Sequence, residues 1–212
     1  MDVVVKRARA VAGRIAAPPS KSMAHRAVLC AALAKGTSHL HHLAFSKDIS
    51  ATLGAAGRLC ARVTTGENDA VVEGLGRFLP VDAPVDCCES GSTLRFLLPL
   101  AMTLGREVTF TGTPRLLERV MPGLWGVTPC PGGLRVTGRL TGGVYRLPGG
   151  DTSQLISGML MALPLCREDS RLEAPGPVSR PYVDLTAWVL ERYGVVLHRA
   201  QGGWRIPGGQ CF

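Results

Sequence analysis

Residues 17–26 read Ala17-Pro18-Pro19-Ser20-Lys21-Ser22-Met23-Ala24-His25-Arg26. The Pro pair ends whatever precedes it. Ser20 or Ser22 then caps a helix, because a Ser oxygen accepts from a backbone N–H that has no partner in the first turn. The run that follows, AVLCAALA, is apolar on every side, so this helix is buried and meets solvent only at its start. A helix start carries about half a positive charge and several free N–H donors. Lys21 and Arg26 add two formal charges there. The stretch reads as an anion site suited to phosphate or carboxylate, or as a capped helix with two solvated basic residues. By itself it leaves both open.

Composition narrows the field. The chain has 212 residues, 46% hydrophobic and 5% aromatic, so a sizeable core is packed mainly by Ala, Leu, Val and Gly. Net charge is +8 and the isoelectric point about 9.5. That suits anionic partners. The basic residues are scattered, with no Lys/Arg block and no interleaved aromatics, which speaks against nucleic acid. Mean hydropathy is +0.17, yet no apolar run reaches the ~20 residues that span a membrane. MDVVVKRARA lacks the apolar core of a signal peptide. The seven cysteines include no CxxC, and Cys87-Cys88 are adjacent. Cys30, Cys60 and Cys166 read as small core residues of a reduced, cytoplasmic protein. His39, His41 and His42 fall in SHLHHL, a strand pattern that puts His39 and His41 on one face. With no Cys or carboxylate beside them they are surface residues, and no metal site is expected.

Taken in order, one pattern appears three times. Residues 1–16 read as strands around basic residues. The opening helix is closed at Lys35-Gly36, and SHLHHL follows as a strand. KDISATLGAAGRLC is an amphipathic helix, and RVTTG with AVVEG form a hairpin. ESGSTLRFLLPLAMTLG is then a second apolar helix and REVTFTG a strand. TPRLLERVMPGLWGV is a short helix cut by Pro122 and Gly123, and LRVTGRL and GVYRLPG are strands. GGDTSQLISGMLMALPLC opens the third copy. SRLEAPG, SRPYVDLTAWVLERYGV, VVLHRA and GWRIPGG complete it as strand, helix and two strands. Ser22, Ser92 and Ser153 recur at intervals of about 60–70 residues, longer than a solenoid turn. Each first helix is apolar all round and each second helix has a polar face. The expectation is an α/β fold with the three apolar helices packed at the centre, strands outside and helix starts converging.

Five ordered motifs, PSKSMAHRAVLCAALAKGTS, ESGSTLRFLLPLA, LLERVMPGL, DTSQLISGMLMALPL and SRPYVDLT, resemble the 3-phosphoshikimate 1-carboxyvinyltransferase (EPSP synthase) family of aromatic amino acid biosynthesis. The resemblance runs from about Met1 to Gly209. It implies an inside-out α/β domain of three βαβαββ units, helices inside and sheets outside, at about 17–76, 77–142 and 143–209. Residues 1–16 would be strands of the other domain and 210–212 the start of the crossover to a missing second half. It implies transfer of the enolpyruvyl group of phosphoenolpyruvate to the 5-hydroxyl of shikimate 3-phosphate, without a cofactor. The chain would be the shikimate 3-phosphate-binding half and inactive alone.

By the same resemblance, Lys21, Ser22, Arg26, Thr152, Ser153, Gln154 and Ser179 hold shikimate 3-phosphate. Lys21, Gly91, Arg119 and Gln154 face phosphoenolpyruvate, and Lys21 is the catalytic candidate. Arg95 and Tyr182 support the site. The residue types agree: Arg gives bidentate donors to phosphate and carboxylate, and hydroxyls at helix starts donate without adding charge. Arg95 paired with Glu89, Tyr182 in the core and Gly91 as a mere cap are the plainer readings. The chain departs from the pattern at Thr152 for a common Ser, at Glu89 for a common Asn and at Glu118-Arg119-Val120 for ERP. The Pro-rich shortening of the second copy's second helix bears on the placement of Arg119. The alternatives are a UDP-N-acetylglucosamine enolpyruvyl transferase, a non-catalytic anion-binding half and an RNA-end-processing protein. SKS…R and SRPYVD oppose the first, and only net charge favours the last.

Overall fold

Hydroxyl caps start most of the helices. The computed structural model describes residues 3–4, 6–79, 81–119, 125–147, 153–176 and 179–212. Helix α1 (Lys21–Leu33) begins where Ser20 Oγ accepts from the Met23 N–H. Helix α2 (Lys47–Leu59) is capped in the same way by Ser46, α3 (Gly91–Met102) by Ser90 and α4 (Pro114–Glu118) by Thr113. Each cap satisfies one N–H that the helix itself leaves unpaired. Helix α5 (Ser153–Ala162) runs into a 3-10 turn at Leu163–Leu165. Helix α6 (Arg180–Arg192) starts differently. Ser179 is left-handed, with φ 63° and ψ 42°, and its side chain does not cap the helix.

The described strands form three sheets. The first joins β1 (Lys35–His41), β2 (Ala61–Thr65) and β3 (Asp69–Leu75) in the order β1-β3-β2, all antiparallel. The second joins β4 (Val85–Asp86), β5 (Val108–Thr111), β6 (Val127–Cys130) and β7 (Gly133–Val136) in the order β4-β5-β7-β6. The third joins β8 (Gly143–Arg146), β9 (Ser170–Glu173), β10 (His198–Ala200) and β11 (Gly203–Ile206) in the order β10-β11-β9-β8. Burial alternates along β3, β9 and β11, so each sheet keeps one face toward the helices and one toward water. The helices lie inside and the sheets outside. His39 and His41 share a face of β1, their rings stacked 6.3 Å apart.

Several expectations need correction. Lys35 and Gly36 do not close α1. The helix ends at Ala34, and both residues already belong to β1. The strands β4 and β6 were not anticipated. The first has two residues, and the second carries Pro129, which an edge strand tolerates because one side of it needs no ladder donor. No strand forms in the described part of residues 1–16. Val3, Val4, Val11 and Ile15 are 78%, 85%, 92% and 94% exposed, because an alternating segment becomes a strand only against another edge. Pro122 and Gly123 lie outside the described residues; α4 does end early, with Arg119 as its C-cap.

The three apolar helices touch one another unequally. Helices α3 and α5 pack backbone to backbone, whereas α1 lies mainly against α2, β3 and α6 and reaches α3 and α5 through His25 and Arg26. Pro99 within α3 has no N–H to offer the Arg95 carbonyl four residues earlier. Gly158 of α5 lies against that carbonyl. A Cβ there would stand 2.7 Å from the Arg95 oxygen and 3.1 Å from Phe96 Cα. Since both neighbours are backbone, Gly158→Ala must push the helices apart. It is expected to cost about 1–3 kcal/mol in urea unfolding; an unchanged midpoint would contradict this packing.

Candidate functional site

Polar side chains inside the helix cluster fix the geometry of its open end. Arg26 is 3% exposed. Its Nε donates to Thr186 Oγ1 at 2.7 Å, and Nη1 donates to the Ser22 carbonyl at 2.7 Å. Nη2 donates to Ser157 Oγ at 3.2 Å and to the Tyr182 carbonyl at 2.9 Å. The guanidinium also lies 5.0 Å over the Phe96 ring. One side chain of α1 thus reaches α3, α5 and α6. On its other side, His25 Nδ1 is 2.7 Å from Thr52 Oγ1 of α2, which is 2.7 Å from Thr93 Oγ1 of α3. Thr52 donates to the Asp48 carbonyl, and Thr93 donates to Ser90 Oγ. All these contacts fall within the first two turns of their helices. The five longer helices therefore bring their starts to one end of the cluster.

The residues one turn above these contacts make the mouth. Ser22 precedes Arg26 by a turn, Ser153 and Gln154 precede Ser157, and Ser179 and Tyr182 precede Thr186. Lys21 is exposed and pairs with Asp48 at 2.7 Å. Gln154 Nε2 donates to Ser92 Oγ at 2.9 Å, and its Oε1 accepts from Arg95 Nη1 at 3.0 Å. Arg95 Nη2 donates to the Arg119 carbonyl at 2.6 Å, which ties the end of α4 to the starts of α3 and α5. Arg119 itself is exposed. A Cβ at Gly91 would meet Arg95 Nη1 at 2.6 Å, so glycine there gives room to the guanidinium. Tyr182 is 48% exposed and so not a core residue. Arg95 finds Gln154 and two carbonyls rather than Glu89. Thr152 lies outside the described residues.

Two features of this end were not visible beforehand. Arg26, expected as an open ligand cation, has four of its five N–H groups engaged by protein, which leaves one on Nη1. Asp48, Thr52, Thr93, Ser157 and Thr186 were not singled out. Their signal was weak but present: Thr52 and Ser157 are polar residues on helix faces otherwise made of Ala, Leu, Ile and Met.

Electrostatics follow from burial. Among the described residues no carboxylate pairs with Arg26 or Arg95. Burial pulls Arg26 down to about 10, so it is charged at neutral pH. Arg95 is lowered by burial and then by Arg119. Their charge is met by neutral acceptors and is not cancelled, so the mouth stays positive. His25 is pushed down to about 4, chiefly by burial; Asp48 opposes this, and Lys21 and Arg26 add to it. In the neutral ring Nδ1 has Thr52 Oγ1 as its hydrogen-bond partner. Nε2 is buried without a partner, so a proton there would find no acceptor.

The family can now be decided. A profile described as EPSP synthase (3-phosphoshikimate 1-carboxyvinyltransferase) matches residues 5–125. The chain belongs to the EPSP synthase family. A 3-phosphoshikimate 1-carboxyvinyltransferase of Clostridium kluyveri is 39% identical over 86% of this chain and 46% of its own length. One from Methanocorpusculum labreanum is 35% identical over 100% of this chain and 53% of its own. The chain spans about half the length of the curated relatives it matches. An EPSP synthase structure from Acinetobacter baumannii superposes with a TM-score of 0.81 at 23% identity, over 94% of this chain and 48% of that one. The enolpyruvyl transferase NikO from Streptomyces tendae follows at 0.60 and 16% identity, over 89% and 46%. The fold is thus that of one half of the EPSP synthase architecture. Among the described residues no helix is long and apolar enough to cross a membrane.

The low His25 value sets a pH dependence. The folded state binds its proton only near pH 4 and the unfolded state near 6.5, so the neutral ring stabilises the fold above 6.5. That stability is lost as pH falls from 6.5 through 4, by up to roughly 3 kcal/mol. Urea midpoints measured from pH 7 to pH 4 should fall more steeply for this protein than for His25→Asn. Parallel curves would show that His25 does not carry the effect.

Proposed function

We propose that this chain is the shikimate 3-phosphate-binding half of an enolpyruvyl transferase that works in the cytoplasm and needs a C-terminal half for turnover. The observation that carries the reading is the convergence of helix starts bearing Lys21, Ser22, Gly91, Ser153, Gln154, Ser179 and Tyr182 over two buried arginines without carboxylate partners. Residues 17–209 form one domain of three repeats, at about 17–76, 77–142 and 143–209. Residues 1–16 belong to the other half, and 210–212 begin the crossover.

Both substrates carry phosphate and carboxylate. Ser22, Thr152, Ser153, Gln154 and Ser179, with the remaining Nη1 N–H of Arg26, hold shikimate 3-phosphate. Lys21, Gly91, Arg119 and Gln154 face phosphoenolpyruvate, and Arg95 and Tyr182 position them. The 5-hydroxyl oxygen bonds to C2 of phosphoenolpyruvate while C3 takes a proton. Loss of that proton and of phosphate from C2 then restores the double bond. Lys21 and Arg119 are the exposed cations of the set; Lys21 is the proton carrier, and Asp48 holds it at the mouth. A base for the hydroxyl must lie within about 3 Å of it. The matched motifs supply no such carboxylate, so it comes from the other half, as does the closure that excludes water.

Calorimetric titration tests the binding claim. The chain should bind shikimate 3-phosphate weakly and in a salt-sensitive way, in preference to UDP-N-acetylglucosamine and a short RNA. Phosphate release from the two substrates should be absent with the chain alone and appear when a C-terminal half is added. Turnover by the lone chain that is abolished by Lys21→Ala would overturn the division of labour. Equal binding of all three ligands would overturn the substrate.

A further inference from the structure

Helices α2 and α6 hold equivalent places in the first and third units. Thr52 of α2 donates to the carbonyl four residues before it, that of Asp48, and Thr186 of α6 does the same to Tyr182. Each hydroxyl also meets α1, through His25 in one case and Arg26 in the other. Counted from these two threonines, the surfaces beyond them correspond position by position. Beside α6 lies a groove of about 520 Å³ lined in part by Trp188, Glu191, Val195 and Leu197. Beside α2 lies a groove of about 790 Å³, lined at the corresponding positions by Gly54, Gly57, Ala61 and Val63.

The two grooves differ in what occupies them. In the third unit the Arg192 guanidinium lies 4.7 Å over the Trp188 ring. The first unit has the same cation, Arg58, one turn after Gly54, and no ring. Glycine weakens a helix interior, and no packing within this chain requires it here. A Cβ at Gly54 would meet no other part of the protein within 4 Å, and one at Gly57 would meet only Val63 Cγ2, at 3.9 Å. The groove thus has a floor of helix backbone and walls that include Phe45, Leu53 and Val63. Arg62 also lines it, and no Asp or Glu does. Among the described residues neither Arg58 nor Arg62 pairs with a carboxylate.

We propose that this groove binds a small aromatic carboxylate from solution. The ring lies on Gly54 and Gly57, in the place that Trp188 takes in the third unit, where Arg58 covers its face as Arg192 covers the indole. The carboxylate pairs with Arg62, whose planar fork matches its two oxygens. Contact with Phe45, Leu53 and Val63 takes the ring out of water, and the volume suits a small-molecule site. Gly54 and Gly57 lie in the second half of α2, away from the helix starts that form the mouth. The inference rests on the repeat and the groove, independently of the proposed activity.

The test follows the amide NMR signals of Gly54, Gly57 and Val63 in the full 212-residue chain as indole-3-acetate is added. Saturable shifts with a dissociation constant of about 1 mM or tighter are expected. Tryptamine, which keeps the ring and replaces the carboxylate with a cation, should bind at least about threefold more weakly, as should cyclohexylacetate, which keeps the carboxylate and lacks the aromatic face. Gly54→Trp puts a ring of the chain's own beside Arg58 and should weaken indole-3-acetate at least about tenfold without lowering the melting temperature. Arg58→Gln, at an exposed position, gives an independent reading and should weaken it about threefold or more. The absence of saturable shifts at the three residues would overturn the proposal. So would equal binding of cyclohexylacetate, or undiminished binding in the two variants.

Discussion

Arg26 carries a positive charge to a place that is 3% exposed, and its acceptors there are neutral: two hydroxyls and two carbonyls from three helices, with the Phe96 ring beneath. Taking such a charge out of water is costly, and the cost is tolerable only when its donors are satisfied. Satisfying them dictates where α1, α5 and α6 must start relative to one another. The Phe96 contact brings in α3. His25, Thr52 and Thr93 do the same for α1, α2 and α3 with uncharged groups. The remaining packing, including the close approach of Gly158 to Arg95 and Phe96, is built around helix starts fixed in this way.

The same arrangement makes the mouth electrostatically useful. A carboxylate partner for Arg26 or Arg95 would have stabilised either one more simply and neutralised the field above it. Neutral acceptors hold the charges and let their potential reach the mouth, where helix starts add N–H donors. The exposed members then differ in character. Lys21 is an adjustable cation held by Asp48, whereas Gln154 is fixed between Ser92 and Arg95. Ser179, in a left-handed conformation and not spent on capping, is the kind of strained residue that a binding site retains.

Much of this was legible from local chemistry. The Ser20 cap, the all-apolar run after Arg26 and the amphipathic second helices specify elements through contacts within a turn or two. The three-fold recurrence then supplies the architecture. What escaped the sequence depends on distant partners. Thr186 and Ser157 look like ordinary helix polar residues until Arg26, far away in the chain, gives them a role. The two-residue β4 and Pro-bearing β6 exist because β5 and β7 offer edges. Residues 1–16 have the alternation of a strand, and their described part lies against no sheet edge. The site motifs marked Lys21, Ser22 and Arg26 together, but not that Arg26 turns inward while the other two face out.

The central claim is that Arg26 ties the helix starts together across α1 and α6. A double-mutant cycle on urea stability, with Arg26→Met, Thr186→Val and the pair, measures that tie directly. The account predicts a coupling of about 1–3 kcal/mol between the two positions. Effects that add within about 0.5 kcal/mol would contradict it, since residues that share no network behave in that way.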